Sequence, residues 1–342
     1  MDTARIHPLE GLKKNPFILA PMAGITDHAF RTFMRERGAG IVISELVSAT
    51  GLEYKSQKTK GLMSFDETQR PIGIQLFGEK PEHVANAACL VEKMGADFVD
   101  LNFGCPVPKV VKKGAGSALL KDLSALTEMI RATISSVKIP VTIKIRTGWD
   151  ASSRNADEVV KIAYNEGVTW VAIHGRTRAQ GYEGYSDWDF IAEVKAKAKL
   201  PIIGNGDIVS AEQAIYRKKQ SGVDGIMIGR GALKNPFIFQ EALALWKGEA
   251  GFQEIDKNYF ELLFGLRELL MKHCDDYVVQ IQLKKFAAWF ATGYPGAAGL
   301  RKNIYQSKTT DEIMFNAKEF FTTLKKRQED SSHEGFLMGG HG

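Results

Sequence analysis

The sequence predicts an α/β protein, a (β/α)8 TIM barrel followed by a smaller C-terminal helical domain. Three observations carry this. Eight short apolar runs alternate with amphipathic stretches across about 230 residues, close to the length of one such barrel. The runs are almost continuously apolar, as in parallel strands buried on both faces. Polar residues follow nearly every run, whereas a doubly wound open sheet gathers them at one switch point and carries Gly-x-Gly-x-x-Gly after its first strand. No such fingerprint follows the first run here.

Taken in order, the predicted strands are Phe17–Ala20, Ile41–Ser44, Ile72–Leu76, Phe98–Asn102, Val141–Ile145, Trp170–His174, Pro201–Gly204 and Gly225–Ile228. Helical periods lie between them. His83 to Met94 places Val84, Ala87, Ala88, Val91 and Met94 on one face, and Leu123 to Ile134 repeats the pattern with Leu126, Ile130 and Ile134. After about Gly251 the strand-like runs stop. Asn258–Cys274, Val279–Thr292 and Thr310–Arg327 have helical period, and Thr309 with Glu312 forms a capping-box signature. Residues 1–250 are thus predicted as the barrel, joined near Lys247–Gly251 to a helical domain over 251–330. The tail, 331–342, is expected to be disordered.

Composition narrows the classes. A formal charge of +5 permits an acidic partner such as RNA without demanding one. Cys89, Cys105 and Cys274 are odd in number and lack CxxC spacing, which argues against a disulfide framework or zinc site and for a reducing compartment. Met1 to Lys14 lacks a signal-peptide pattern, and no apolar run is long enough to span a bilayer. A cytoplasmic monomer without membrane contact is expected. The histidines are scattered and no His-Glu-x-x-His is present, so no metal site is expected. His83 and His273 lie within helical patterns and receive no role.

In a barrel of this kind the residues just past each strand converge on one face. Here they are Pro21-Met22-Ala23, Glu45, Gln75, Asn102 with Cys105, Lys144 with Arg146, His174 with Arg176, Asn205-Gly206-Asp207 and Gly229-Arg230. Asn102-Phe103-Gly104-Cys105-Pro106 puts a thiol on a turn after a buried strand, at a rim rather than in a core. Taken alone, Cys105 is equally well explained as a small apolar filler. The glycine turns at Gly204–Asp207 and Gly229–Gly231 expose backbone N–H groups of the sort that bind phosphate. Lys144 interrupts an apolar run, which is costly unless it meets an anion or polar ligand, or snorkels to the rim. Together these residues point to a phosphate-bearing organic cofactor over which a proton donor works.

At this level of detail the chain resembles the tRNA-dihydrouridine synthases, from about Leu19 to Phe239 and more weakly to about Thr310. The matching motifs are Ala20-Pro21-Met22-Ala23-Gly24-Ile25-Thr26-Asp27, Ile74-Gln75-Leu76-Phe77-Gly78, Asn102-Phe103-Gly104-Cys105-Pro106, Gly114-Ala115-Gly116-Ser117-Ala118-Leu119-Leu120, Lys144-Ile145-Arg146-Thr147-Gly148-Trp149, His174-Gly175-Arg176-Thr177-Arg178, Asn205-Gly206-Asp207 and Gly229-Arg230-Gly231. The bacterial, B-like branch is the most similar in pattern.

The resemblance implies reduction of uridine in tRNA to dihydrouridine by a flavoenzyme carrying non-covalent FMN, with NADPH as reductant. By motif match, Pro21, Met22 and Ala23 would run along the flavin ring, Gln75 and Lys144 would meet its polar edge, and His174 would lie nearby. Asn205, Gly206, Asp207, Gly229 and Arg230 would hold the phosphate. Cys105 matches the proton donor. Asn102, Arg146, Arg176, Lys284 and Lys285 would contact substrate, and the target base would leave its stack to reach the flavin. Lys109, Lys112 and Lys113 would add basic surface, or form only a solvated loop. The chain departs from the family at Lys285-Phe286-Ala287-Ala288-Trp289-Phe290, where Lys-His-x-x-Trp-Tyr is usual, and at Lys234-Asn235-Pro236-Phe237, where Gly-Asn-Pro-Trp is usual. Two readings compete: a flavin barrel acting on a free pyrimidine, as in dihydroorotate dehydrogenases, and a non-catalytic RNA-binding barrel. Cys105, Lys144 and both phosphate loops argue against the second.

Overall fold

In the computed structural model, which describes residues 5–249 and 257–323, eight parallel strands close into a barrel. Counting one short strand beside the ring, the strands of the described residues are β1 (Phe17–Leu19), β2 (Ile41–Ile43), β3 (Val47–Ser48), β4 (Ile72–Phe77), β5 (Phe98–Phe103), β6 (Val141–Arg146), β7 (Val171–His174), β8 (Ile202–Asn205) and β9 (Gly225–Ile228). Closure comes from β1 pairing with both β2 and β9 while β2 pairs with β4. The two-residue β3 pairs with β4 alone and lies outside the ring. All eight predicted strands are present, with ends shifted by a residue or so. The segment between β2 and β4 was not foreseen. It holds β3 and the short helices Ala49–Glu53 and Gln57–Gly61, too brief and too polar to leave a periodic signal.

Alternation along each strand sends every second side chain into the barrel. Towards its N-terminal end the interior is apolar, filled by Ile18, Ile41, Phe98, Trp170, Ile203 and Met227, with Leu12 of helix Pro8–Lys14 closing the bottom. Phe98 and Trp170 meet edge to face at 5.3 Å. A Cβ on Gly73 would lie 2.3 Å from the Phe98 ring, so only glycine lets that ring cross β4. Higher up, register assembles polar residues. Gln75 is beside Asp100, Asp100 beside Thr142, Asn102 beside Lys144, and His174 beside Asn205.

The C-terminal region is formed by helices Tyr259–His273, Asp276–Phe290, Ala297–Gln306 and Thr310–Thr322. Three match the predicted helices. Ala297–Gln306 does not, because Gly296 and Gly299 mask its short period. The Thr309 cap is formed, its hydroxyl accepting from the Glu312 N–H at 3.2 Å while the Glu312 carboxylate accepts from the Lys308 N–H at 2.7 Å. These helices dock on barrel helix His28–Glu36 through Phe30 on Phe286 (4.8 Å) and Phe33 on Phe290 (6.4 Å). One apolar core runs through both regions. The expected junction at Lys247–Gly251 lies partly, and the tail 331–342 wholly, outside the described residues. Among the described residues no helix is long and apolar enough to cross a membrane.

Candidate active site

The polar upper interior begins with Asp100, a carboxylate with no exposed surface. Thr142 Oγ1 donates to it at 2.6 Å and Gln75 Nε2 at 2.7 Å. Burial pushes its pKa up, opposed by those two donors and the charge of Lys144. Gln75 Oε1 in turn accepts from Asn102 Nδ2 at 2.9 Å. Neither Asp100 nor Thr142 was singled out from sequence. The available signal was their place, mid-strand and two residues before Asn102 and Lys144, on the same face.

Cys105 occupies the turn after β5. Asn102 Oδ1 accepts from the N–H groups of Gly104 (3.2 Å) and Cys105 (2.8 Å), and the Cys105 carbonyl accepts from Ser117 N and Oγ at 3.1 and 2.8 Å. The Gly-Ala-Gly-Ser motif is therefore the clamp behind the cysteine. Gly116, at φ +61, leaves 3.0 Å between a would-be Cβ and the Cys105 carbonyl oxygen. Gly104 is explained by the β6 backbone, which a Cβ would approach to 3.3 Å at Ile145, rather than by a ligand. The thiol is free and half-buried, and burial raises its pKa, so it is protonated at neutral pH.

The Lys144 ammonium makes no hydrogen bond to the described residues, and its pKa is lowered to about 8 by burial and then by the charge of Arg146. A half-buried ammonium without a protein acceptor is what a polar or anionic ligand would complete. Arg146, expected at the substrate, is almost fully buried. It ties the cysteine turn to the 177–181 loop by donating to the carbonyls of Gly104 (2.9 Å), Thr177 (2.8 Å) and Gly181 (2.7 Å), with Nη2 unused among the described residues. Arg176 was also expected at the substrate. In this structure its donors all go to internal acceptors, including both oxygens of Asp207 at 2.8 and 2.9 Å. His174 is buried among cations, which holds it neutral. Tyr182, which the sequence reading passed over, covers this cluster, its ring 4.8 Å from the Arg230 guanidinium and 5.7 Å from that of Arg146.

The two glycine turns form a cradle. The N–H groups of Gly206, Asp207, Gly229 and Arg230 find no acceptor among the described residues. Gly206 has φ +124, and a Cβ there would lie 2.0 Å from Ser186 Oγ. At Gly229 a Cβ would be 3.5 Å from both Ala20 Cβ and Met22 Sδ, so this turn abuts the Pro21-Met22-Ala23 wall. Asn205 braces the cradle by donating to the Met227 carbonyl at 2.8 Å. Asp207 takes part through its main chain, since its carboxylate is committed to Arg176, to the Ser186 N–H (2.7 Å) and, at 3.5 Å, to Arg230. Unfilled N–H groups beside Arg230 fit a phosphate.

Helix Asp276–Phe290 reaches this face from the side. Gln282 Nε2 donates to the Gly24 carbonyl (3.3 Å) and to Asp27 (3.2 Å), and Glu45 accepts from the Gly24 N–H. Burial raises the pKa of Glu45, and Lys285 is near enough to oppose that rise. Lys284, expected beside it on the RNA surface, instead caps helix Ala297–Gln306, its ammonium donating to the carbonyls of Ser307 (2.6 Å) and Tyr305 (3.3 Å). Lys109, Lys112 and Lys113 are exposed just past the cysteine turn. The fold also gathers His28, Asp66 and His273 within 4.8 Å, where scattered histidines had indicated no metal cluster. The two rings stack at 3.9 Å and His28 Nε2 bonds to Asp66 at 3.1 Å. Parallel rings do not aim their lone pairs at a common point, so we read a polar junction between barrel and helices.

Fold and site together define a class: a (β/α)8 barrel whose C-terminal face gathers a thiol, a lysine ammonium and two glycine turns with unfilled N–H groups. Comparison with known proteins narrows this. The family described as "Dihydrouridine synthase (Dus)" matches residues 18–327. A probable tRNA-dihydrouridine synthase of Rickettsia conorii is 37% identical over 90% of this chain and 93% of its own length. The tRNA-dihydrouridine synthase B of Pseudomonas aeruginosa is 38% identical over 94% and 96%. The chain belongs to the dihydrouridine synthase family, and its activity is tRNA dihydrouridine synthesis. Solved structures bear on the fold alone. A histamine dehydrogenase from Rhizobium sp. 4-9 superposes with TM-score 0.50 at 13% identity, over 75% of this chain and 49% of that one. A 6-hydroxypseudooxynicotine amine oxidase from Pseudomonas geniculata N1 gives 0.55 at 15%, over 73% and 50%.

Proposed function

We propose that the protein reduces uridine in tRNA to 5,6-dihydrouridine with non-covalently bound FMN, drawing electrons from NADPH. The observation that carries this reading is the Cys105 thiol, whose pKa burial raises, on the same barrel face as the unfilled N–H groups of the glycine turns and Lys144. The flavin, when bound, supplies hydride to uracil C6. Negative charge then gathers at C5 and O4, and Cys105 donates the C5 proton as general acid. Gln75 and Lys144 would meet the polar edge of the flavin, where the ammonium favours negative charge. Pro21, Met22 and Ala23 would flank its ring, with His174 nearby. Asn205, Gly206, Asp207, Gly229 and Arg230 would hold the phosphate, and Asn102 and Arg146 Nη2 would meet the uracil. The helical region, with Lys285, and the exposed Lys109, Lys112 and Lys113 would engage the RNA backbone.

Cys105→Ala tests the assignment. Flavin binding and reduction by NADPH should persist, while dihydrouridine formation should fall by about 10²–10⁴, the usual share of a general acid. Near-normal uridine reduction would make Cys105 a packing residue. A purified protein that takes up no FMN would refute the cofactor.

A further inference from the structure

Asp100 lies on β5 two residues before Asn102, wholly buried, and the proposed chemistry leaves it without a role. A carboxylate can only accept hydrogen bonds, whereas an amide side chain has an oxygen and a nitrogen of nearly equal shape. The carboxylate therefore decides which way Gln75 lies. With Nε2 donating to Asp100 at 2.7 Å, Gln75 Oε1 must turn to Asn102 Nδ2, at 2.9 Å. That leaves Asn102 Oδ1 as the acceptor for the Gly104 and Cys105 N–H groups, at 3.2 and 2.8 Å. Each amide is oriented by the one before it, and the series starts at the carboxylate.

We propose that Asp100 is a positioning residue for proton delivery: acting through Gln75 and Asn102, it fixes the turn that presents the Cys105 thiol. The inference rests on the reading of Cys105 as proton donor. Asparagine at position 100 fits the same space but offers either an oxygen or an NH2 to Gln75. The series can then reverse, bringing the Asn102 NH2 against two N–H donors, and the turn loses its anchor.

The test uses full-length, FMN-loaded protein and an unmodified tRNA transcript. Two quantities are measured: single-turnover uridine reduction by NADPH-reduced enzyme, and alkylation of Cys105 by iodoacetamide, followed on its own peptide by mass spectrometry. Asp100→Asn is assayed at saturating FMN and tRNA, because Gln75 and Asn102, which it would reorient, are themselves placed at the flavin and the uracil. Reduction should slow about tenfold and alkylation should quicken about tenfold, the scale of one charge-assisted hydrogen bond. Thr142→Val removes a bond to the carboxylate but leaves Gln75 oriented, so both rates should stay within about twofold of wild type. Either rate unchanged in Asp100→Asn, or Thr142→Val matching its effects, overturns the proposal. If Asp100→Asn does not fold, Gln75→Leu cuts the series at its middle link and must raise Cys105 alkylation likewise; an unchanged rate overturns the proposal there too. Wild-type protein that forms no dihydrouridine would instead sink the functional reading, with the alkylation arms still reporting on the series.

Discussion

Asp207→Asn sets two effects of opposite sign against each other. The carboxylate belongs to the turn read here as the phosphate cradle, so removing its charge should, by Coulomb attraction alone, tighten binding of an anion. Its contacts argue the reverse. It accepts from Arg176 at 2.8 and 2.9 Å and from the Ser186 N–H at 2.7 Å, and it is within 3.5 Å of Arg230. Asparagine tolerates the left-handed backbone at this position, φ +53, so the turn itself is not strained by the change. It keeps one acceptor oxygen and presents an NH2 to a guanidinium that is only 3% exposed. Breaking a buried pair costs about 3–5 kcal/mol, and the 26% exposure of Asp207 brings this towards about 2–3 kcal/mol. At about 2 °C per kcal/mol for a chain of this size, Tm should fall by about 4–6 °C. The guanidinium of Arg230 and the cradle N–H groups lose their common anchor, and FMN affinity should weaken by about tenfold or more. Titration of flavin-free protein with FMN, followed by flavin fluorescence, and a thermal melt measure both. Binding as tight as wild type, or tighter, would refute the anchoring argument.

Other expectations follow from the same geometry. Lys144 titrates at about 8 in the flavin-free protein against an ordinary 10.5, chiefly through burial. Between these values the unfolded chain holds more protons than the folded one, so stability should rise with pH across that window, and the rise should vanish in Lys144→Met. Parallel Tm–pH profiles for the two proteins would contradict this. Lys285→Glu should weaken tRNA binding and lower its salt slope by about one or more, leaving the flavin spectrum unchanged. Lys284→Met should leave tRNA affinity near wild type but destabilise the fold by about 1–2 kcal/mol, since its ammonium caps a helix. A tRNA affinity that responds equally to both substitutions would mean that Lys284 leaves its carbonyls to meet RNA.

Much of the barrel was legible in the chain, because strands buried on both faces must be apolar and their polar ends must lie at a rim. The residues after each run, among them Gln75, Asn102, Cys105, Lys144 and His174, could be named for the same reason. Gly206 and Gly229 announced close approach by lacking a side chain. The neighbouring lysines show where such reading stops. Lys284 and Lys285 are equivalent by composition and by helical period, yet one is spent on the carbonyls of Tyr305 and Ser307 while the other lies near Glu45.

Sequence alone thus determined which residues reach the C-terminal face, since alternation and strand length depend only on local order. Tertiary structure decided what those residues are free to do. Strand register brought Thr142, Asp100 and Gln75 into one buried series, and loop packing consumed every donor of Arg176. The docked helices placed Gln282 against the Gly24 turn. Each of these contacts joins residues far apart in the chain. A hydrogen-bonding group declares its capacity in the sequence, but its partner is chosen only when the chain closes on itself.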